Sequence, residues 1–126
     1  MYIRKFGGAA HEKILGKSEA RDGTSSFKAE YIQSVITLSM DEFCNFSSIV
    51  PTDIKIDVDG AELALIEGMR NTLLNPTLKR IFIEISENEE KSLLALGKLL
   101  DCGFVVHKKT RVQNYFTEYN YTLHRA

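Results

Sequence analysis

Cysteine is scarce in this chain, and its two copies, Cys44 and Cys102, stand far apart with no C-x-x-C or metal-type spacing around them. A disulfide framework or a zinc site is therefore unsupported, and a reducing compartment is the default. No charge of one sign dominates: 16 Lys and Arg are spread among 17 Asp and Glu, for a formal net charge of -1. Such balance gives no electrostatic footprint for nucleic acid or an anionic membrane surface. The densest basic cluster, Lys108, Lys109 and Arg111, reads as a solvated turn. Long apolar runs are missing too. Met1 to Phe6 lacks the apolar core of a signal peptide and no stretch approaches membrane-spanning length, so a soluble, cytoplasmic protein is expected. A glycine-rich phosphate loop is also absent: Gly7-Gly8 has no G-x-G-x-x-G spacing and no later strand-end acid, so it reads as a turn. His11, His107 and His124 sit in unrelated segments without partner spacing, as surface or strand residues rather than catalytic bases.

What is present suits an α/β fold. The 126 residues, 44% hydrophobic, can bury one core. Met1 to Phe6 alternates weakly, as an edge strand would, and Gly7 to Lys28 is polar and glycine-punctuated, as irregular chain is. Tyr31 to Leu38 reads as a second strand. Ser39 and Glu42 have capping-box spacing, which predicts a short helix through Cys44. Ile54 to Val58 is apolar apart from Lys55, as expected of a parallel strand buried on both faces. Asp59 with Glu62 caps the next helix, over Ala61 to Leu74, whose Leu65, Ile66, Met69 and Leu73 form a core stripe ended by Pro76. Ile81 to Ile85 is the following strand. Ser86 and Glu89 open a further helix with Leu93, Leu96 and Leu100 in line, closed by Gly103. Phe104 to His107 and Tyr119 to His124 are the last strands. Right-handed crossovers make parallel neighbours among the strands starting at Ile54, Ile81 and Phe104, whereas the final strand is free to run antiparallel.

The most distinctive stretch is Lys55-Ile56-Asp57-Val58-Asp59-Gly60-Ala61-Glu62, a charged cluster where an apolar strand gives way to a helix. Open α/β sheets bind ligands at such turns. Side by side, the strands Ile54 to Val58 and Ile81 to Ile85, matched in length, would bring the carboxylates of Asp57 and Glu84 to one sheet edge. Paired carboxylates resist simultaneous ionisation, which suits one of them to accept a proton from a substrate hydroxyl. Asp57 is the candidate base, Glu84 its neighbour, and Lys55 an ion-pair partner that orients the acids. Asp59 and Glu62 are candidate substrate contacts as well as helix caps. An EF-hand is excluded because the glycine comes too early. A D-x-D-G phosphatase reading needs a hydroxyl residue where Ala61 stands.

The segment KIDVDGAELALIEG followed by IFIEIS resembles the second half of FkbM-type methyltransferases, and Gly23-Thr24-Ser25-Ser26 and Val35-Ile36-Thr37-Leu38 with Asp41-Glu42-Phe43 resemble earlier segments of that family. The resemblance covers most of the chain. It implies a Rossmann-like methyltransferase sheet, here the C-terminal half, mostly parallel with an antiparallel last strand. Residues 1–126 would form a single partial domain, with edge strands and a connecting helix in 1–50 and strand-helix-strand units in 51–126. The family's cofactor is S-adenosylmethionine, but the Gly-rich turn and strand-end acid that would hold it are not found. The implied activity is methyl transfer to an oxygen of a small molecule or sugar. The competing expectation is a non-catalytic remnant or assembly module that pairs with a second copy or another chain through an exposed sheet edge.

Overall fold

The computed structural model describes residues 2–3, 13–14, 31–32, 36–58, 60–113 and 115–126. Two compact units divide between Thr37 and Leu38. In the first, β1 (Tyr2–Ile3), β2 (Lys13–Ile14) and β3 (Tyr31–Ile32) form a small antiparallel sheet in the order β2-β1-β3. The strand expected at the edge is therefore central, because β1 pairs with Ile14 and Lys13 on one side and with Ile32 and Tyr31 on the other. Lys13–Ile14 is strand where irregular chain was expected. The strand predicted over Tyr31 to Leu38 does not reach its far end: Ile36 to Ser39 is irregular, and Ile36 lies 94% exposed. Gly7-Gly8, His11 and Gly23 to Ser26 fall outside the described residues.

The second unit contains α1 (Met40–Ser47), β4 (Asp53–Ile56), α2 (Glu62–Glu67), α3 (Arg70–Leu74), β5 (Arg80–Ser86), α4 (Glu90–Asp101), β6 (Phe104–Arg111) and β7 (Glu118–Arg125). Its four-stranded sheet has the order β4-β5-β7-β6. β4 and β5 are parallel, while β7 runs antiparallel to both β5 and β6. The antiparallel last strand is as expected. The sheet is nonetheless mixed rather than mostly parallel, because β7 inserts between β5 and β6 and turns both of those contacts antiparallel.

Local chemistry explains the helices. The capping box at α1 is complete: the Glu42 amide donates to Ser39 Oγ at 3.2 Å, and the Ser39 amide donates to Glu42 Oε2 at 2.8 Å. The helix expected from Ala61 to Leu74 is two helices, broken at Gly68 and Met69. Gly68 sits there because α1 arrives on top of it. The Asp41 amide donates to the Gly68 carbonyl at 3.1 Å, and a Cβ on Gly68 would lie 3.1 Å from Ser39 Cβ. α3 lacks a side-chain cap of its own, and Asp41 provides one from α1 by accepting from the amides of Asn71 and Thr72 at 2.9 and 2.8 Å. Asn75 then takes an extended conformation, as a residue before proline must.

Ile54 and Ile56 of β4, Ile81, Ile83 and Ile85 of β5, Tyr121 and Leu123 of β7 and Phe104 of β6 form one core with Ile66, Met69, Leu73, Leu78, Ala95 and Leu99. Most of α2–α3's predicted stripe is core as expected. On α4 the prediction misplaced the face. Leu93 and Leu100 are exposed and Leu96 only partly buried, while Ser92, Ala95 and Leu99 turn inward. Helix α4 begins at Glu90 rather than at Ser86, whose amide donates to Ser92 Oγ at 3.0 Å. β4 is not buried on both faces. Its burial alternates, with Ile54 and Ile56 inside and Asp53 and Lys55 exposed, the pattern of a sheet covered on one side.

Arg125 ties the end of the sheet to the helices. Its guanidinium donates to the carbonyls of Leu78 (2.8 Å), Leu73 (2.6 Å) and Asn75 (3.1 Å), and it stacks 4.5 Å from the centre of the Phe104 ring. Leu73 and Asn75 end α3, where carbonyls lack helical partners and a cation is favoured.

Candidate active site

Parallel pairing of β4 with β5 sets Lys55 opposite Phe82 and Ile56 opposite Ile83. Antiparallel pairing of β5 with β7 sets Phe82 opposite Thr122 and Glu84 opposite Asn120. Side chains two apart on a strand share a face, so Lys55 and Asp57, Phe82 and Glu84, and Thr122 and Asn120 come to the face away from the helices. They line one cavity of about 290 Å³, with Ile56, Ile83 and Tyr121 completing its wall. Its size sits near the lower limit for small-molecule sites.

Asp57 and Glu84 thus reach the same cavity, as the strand lengths predict. Lys55 Nζ lies 2.9 Å from Asp57 Oδ2, the ion pair anticipated for this lysine, and both side chains are solvent-exposed. An exposed pair adds little stability; its consequence is positional, setting the Lys55 ammonium beside the Asp57 carboxylate. Glu62 goes elsewhere. It is buried, its Oε1 accepts from the Gly60 amide at 3.0 Å, and it is not among the residues lining the cavity. Asp59 lies outside the described residues; the N-cap position of α2 belongs to Ala61, with no side-chain cap bond.

Phe82, Asn120 and Thr122 were not anticipated. Nothing local in the sequence marks them, because only the β5–β7 register places them beside Asp57. Elsewhere on the exposed face, Arg80 holds Asp53, and the Arg80 and Thr52 hydrogen bonds keep the Asp53 carboxyl below its ordinary range. His107 and His124, which share no spacing in sequence, stack with ring centres 4.2 Å apart and planes 9° from parallel. The shift in β6 register between Val106 and Lys108 inserts His107 at this point.

The basic cluster predicted as a turn is strand. Lys109 of β6 donates to Glu87 Oε1 at 2.7 Å and lies 4.0 Å from the centre of the Tyr119 ring. Tyr121 Oη donates to the same carboxylate oxygen at 2.5 Å. Bonds from Lys109 and Tyr121 hold Glu87 below the usual carboxylate range. Burial, and then the bond to Glu87, push the Tyr121 phenol above its ordinary value.

A family model described as "Methyltransferase FkbM domain" matches residues 4–121. The chain belongs to the FkbM methyltransferase family. No curated protein and no solved structure matches it. The four-stranded open sheet is compatible with a methyltransferase fold. Within this FkbM-family chain, the Asp41 segment has a structural explanation, the cap on α3, and the KIDVDGAE segment delivers Lys55 and Asp57 to the cavity. Among the described residues no helix is long and apolar enough to cross a membrane. Both cysteines are free thiols and partly buried.

Proposed function

We propose that the cavity accepts a hydroxyl-bearing small molecule or sugar, and that the chain transfers to its oxygen a methyl group from S-adenosylmethionine, the donor this kind of family generally uses. The observation that carries this reading is the arrival of Asp57 and Glu84, from adjacent parallel strands, at one cavity. A methyl acceptor needs alignment and a route for its proton. Asp57 receives that proton, Lys55 fixes the orientation of the Asp57 carboxylate, and Glu84 supplies a second acceptor that orients the hydroxyl.

The described residues fit the acceptor side of such a reaction. They do not form a cradle for the donor's adenosine and carboxylate ends: the cavity's one cation, Lys55, is engaged by Asp57, and no glycine-rich strand-turn-helix lies among them. No residue is therefore assigned to the donor. The test is Asp57→Asn, assayed for methyl transfer across a panel of hydroxylated acceptors. Loss of turnover by about a hundredfold or more, with acceptor binding retained, is the result expected for a general base. Unchanged turnover in this variant would remove Asp57 from the chemistry.

A second reading is favoured by a specific observation. β4 pairs on one side only among the described residues, and the segment that leads into it exposes Phe43 (46%) and Phe46 (88%) on α1 and Ile49 (60%) just after it. A sheet edge unpaired among the described residues, with apolar side chains exposed on the segment leading into it, suits an assembly module that pairs with a second copy or another chain. Sedimentation analysis showing a concentration-independent monomer would count against it.

A further inference from the structure

β6 ends the four-stranded sheet on the side opposite β4, and it is built unlike the strands beside it. Of its eight residues only Phe104 is buried; Val105 to Arg111 are exposed, and no strand lies beyond it among the described residues. In a ladder paired on one side, alternate residues turn their N–H and C=O groups outward, so about 27 Å of edge stands open to a further strand.

The two halves of that edge differ chemically. Val105 and Val106, 49% and 44% exposed, make the first half apolar. The second half is cationic. Lys108 pairs with Thr122 on the face away from the helices, whereas Lys109 and Arg111, opposite Tyr121 and Tyr119, belong to the other face. Lys109 is engaged by Glu87, but Lys108 and Arg111 meet no carboxylate among the described residues. One unengaged cation therefore stands on each side of the strand. Over residues 104–125 four Lys and Arg stand against one Glu, a local excess that the whole chain's charge of -1 conceals. The bulge at His107 falls between the halves and limits unbroken pairing to short stretches on either side, so charge rather than ladder length selects the partner.

We infer that the β6 edge receives an extended acidic segment of another protein, added antiparallel as a fifth strand, with carboxylates against Lys108 and Arg111 and apolar side chains against Val105 and Val106. The inference goes beyond methyl transfer and does not depend on it. A second copy fits poorly. β6 laid antiparallel on its own copy would gather His107, Lys108 and Lys109 of both chains around one centre, and like charges facing across strands are destabilising. The cations that guard this edge against self-pairing thus favour a strand of opposite sign. Nucleic acid has phosphates for the cations but no strand backbone to satisfy the alternating row of N–H and C=O groups.

The experiment uses the full chain and follows its backbone amide shifts as a blocked octapeptide, Glu-Asp-Thr-Glu-Thr-Val-Thr-Val, is added. Lying antiparallel, its acids meet the half from Lys108 to Arg111. One control peptide carries lysine in place of each acid, and another carries N-methyl groups on alternate amides, which keeps every charge while removing ladder donors. The acidic peptide is expected to shift amides of 104–111, and both controls to bind about tenfold more weakly. Lys108→Glu and Arg111→Glu are each expected to weaken it about fivefold. Both side chains are exposed, so the same spectra show that each variant keeps the fold. Either control peptide binding as tightly as the acidic one overturns the inference. So does acidic-peptide binding left within about twofold by both variants, or no shift along β6 with peptide in large excess. Shifts at β6 that grow with protein concentration alone would assign the edge to a second copy, and an octauridylate binding as tightly as the peptide would assign it to nucleic acid; either result overturns the proposal.

Discussion

Arg125 offers the sharpest test of how this fold is held together. Its guanidinium donates to the carbonyls of Leu73, Asn75 and Leu78 at 2.6 to 3.1 Å and, at 3.5 Å, to that of Cys102, and covers the Phe104 ring. Hydrogen bonds to a charged group contribute roughly 1.5–3 kcal/mol each, and a cation over a ring adds about 0.5–1 kcal/mol. The site is partly open, so water recovers some of what a truncation removes. Arg125→Ala is accordingly expected to cost about 3 kcal/mol. Arg125→Lys keeps the charge but cannot fork, and recovers about one bond, for a loss near 2 kcal/mol. Urea unfolding followed by circular dichroism reads this directly. With a slope of roughly 1.5 kcal/mol per molar, the Ala variant's midpoint falls by about 2 M and the Lys variant lies between it and wild type. A midpoint for Arg125→Ala within about 0.5 M of wild type, or a Lys variant as stable as Arg, would refute the clasp.

Acid should loosen the α1–α3 junction. Burial works to raise the Asp41 carboxyl, but the Asn71 and Thr72 hydrogen bonds outweigh it and hold it below its ordinary value. A depressed carboxyl contributes stability above the unfolded value, near pH ~4, and loses it as pH falls through the folded one. Thermal melts between neutral pH and about pH 3 should show this loss in wild type and a smaller one in Asp41→Asn, which should also start about 1 kcal/mol less stable. At the alkaline end the sign reverses. The raised Tyr121 phenol favours the folded state below its unfolded value, near pH ~10, and that contribution disappears as pH rises through the folded value. Ultraviolet titration should resolve one tyrosine ionising late, and Tyr121→Phe should delete that step. Gly68, between α2 and α3, and Gly97, within α4, should respond oppositely to alanine. At Gly68 the new Cβ meets Ser39, fixed by its capping box, so a loss of about 1 kcal/mol is expected; Gly97 has nothing within 4 Å, so a gain of about 0.5–1 kcal/mol is expected. Equal melting shifts in the two variants would contradict this packing.

Local signals survive folding where their partners are close in sequence. The Ser39–Glu42 capping box forms as its spacing requires, the Ile66, Met69 and Leu73 stripe is buried, and α4 stops before Gly103. Spacing of three or four residues is enough for these, because helix geometry alone brings the groups together. The same reasoning fails where several faces compete. α4 has leucines on more than one side, and only the position of the sheet decides that Ala95 and Leu99 point inward. The two-sided burial expected of β4 fails for a related reason: an apolar strand flanked by charges does not reveal whether a layer covers its second face.

Residue order alone determined the capped helix α1, the strand-to-helix turn after Ile56, and the placing of Lys55 and Asp57 at the end of β4. Tertiary pairing decided everything that needs register across the sheet: that Asp57 and Glu84 share a cavity, that β7 brings Asn120 and Thr122 to it, that His107 meets His124, and that Arg125 reaches the end of α3. The reason is separation along the chain. A contact three residues away is dictated by backbone geometry, whereas one between residues tens of positions apart is settled only when hydrophobic burial selects one alignment of the strands.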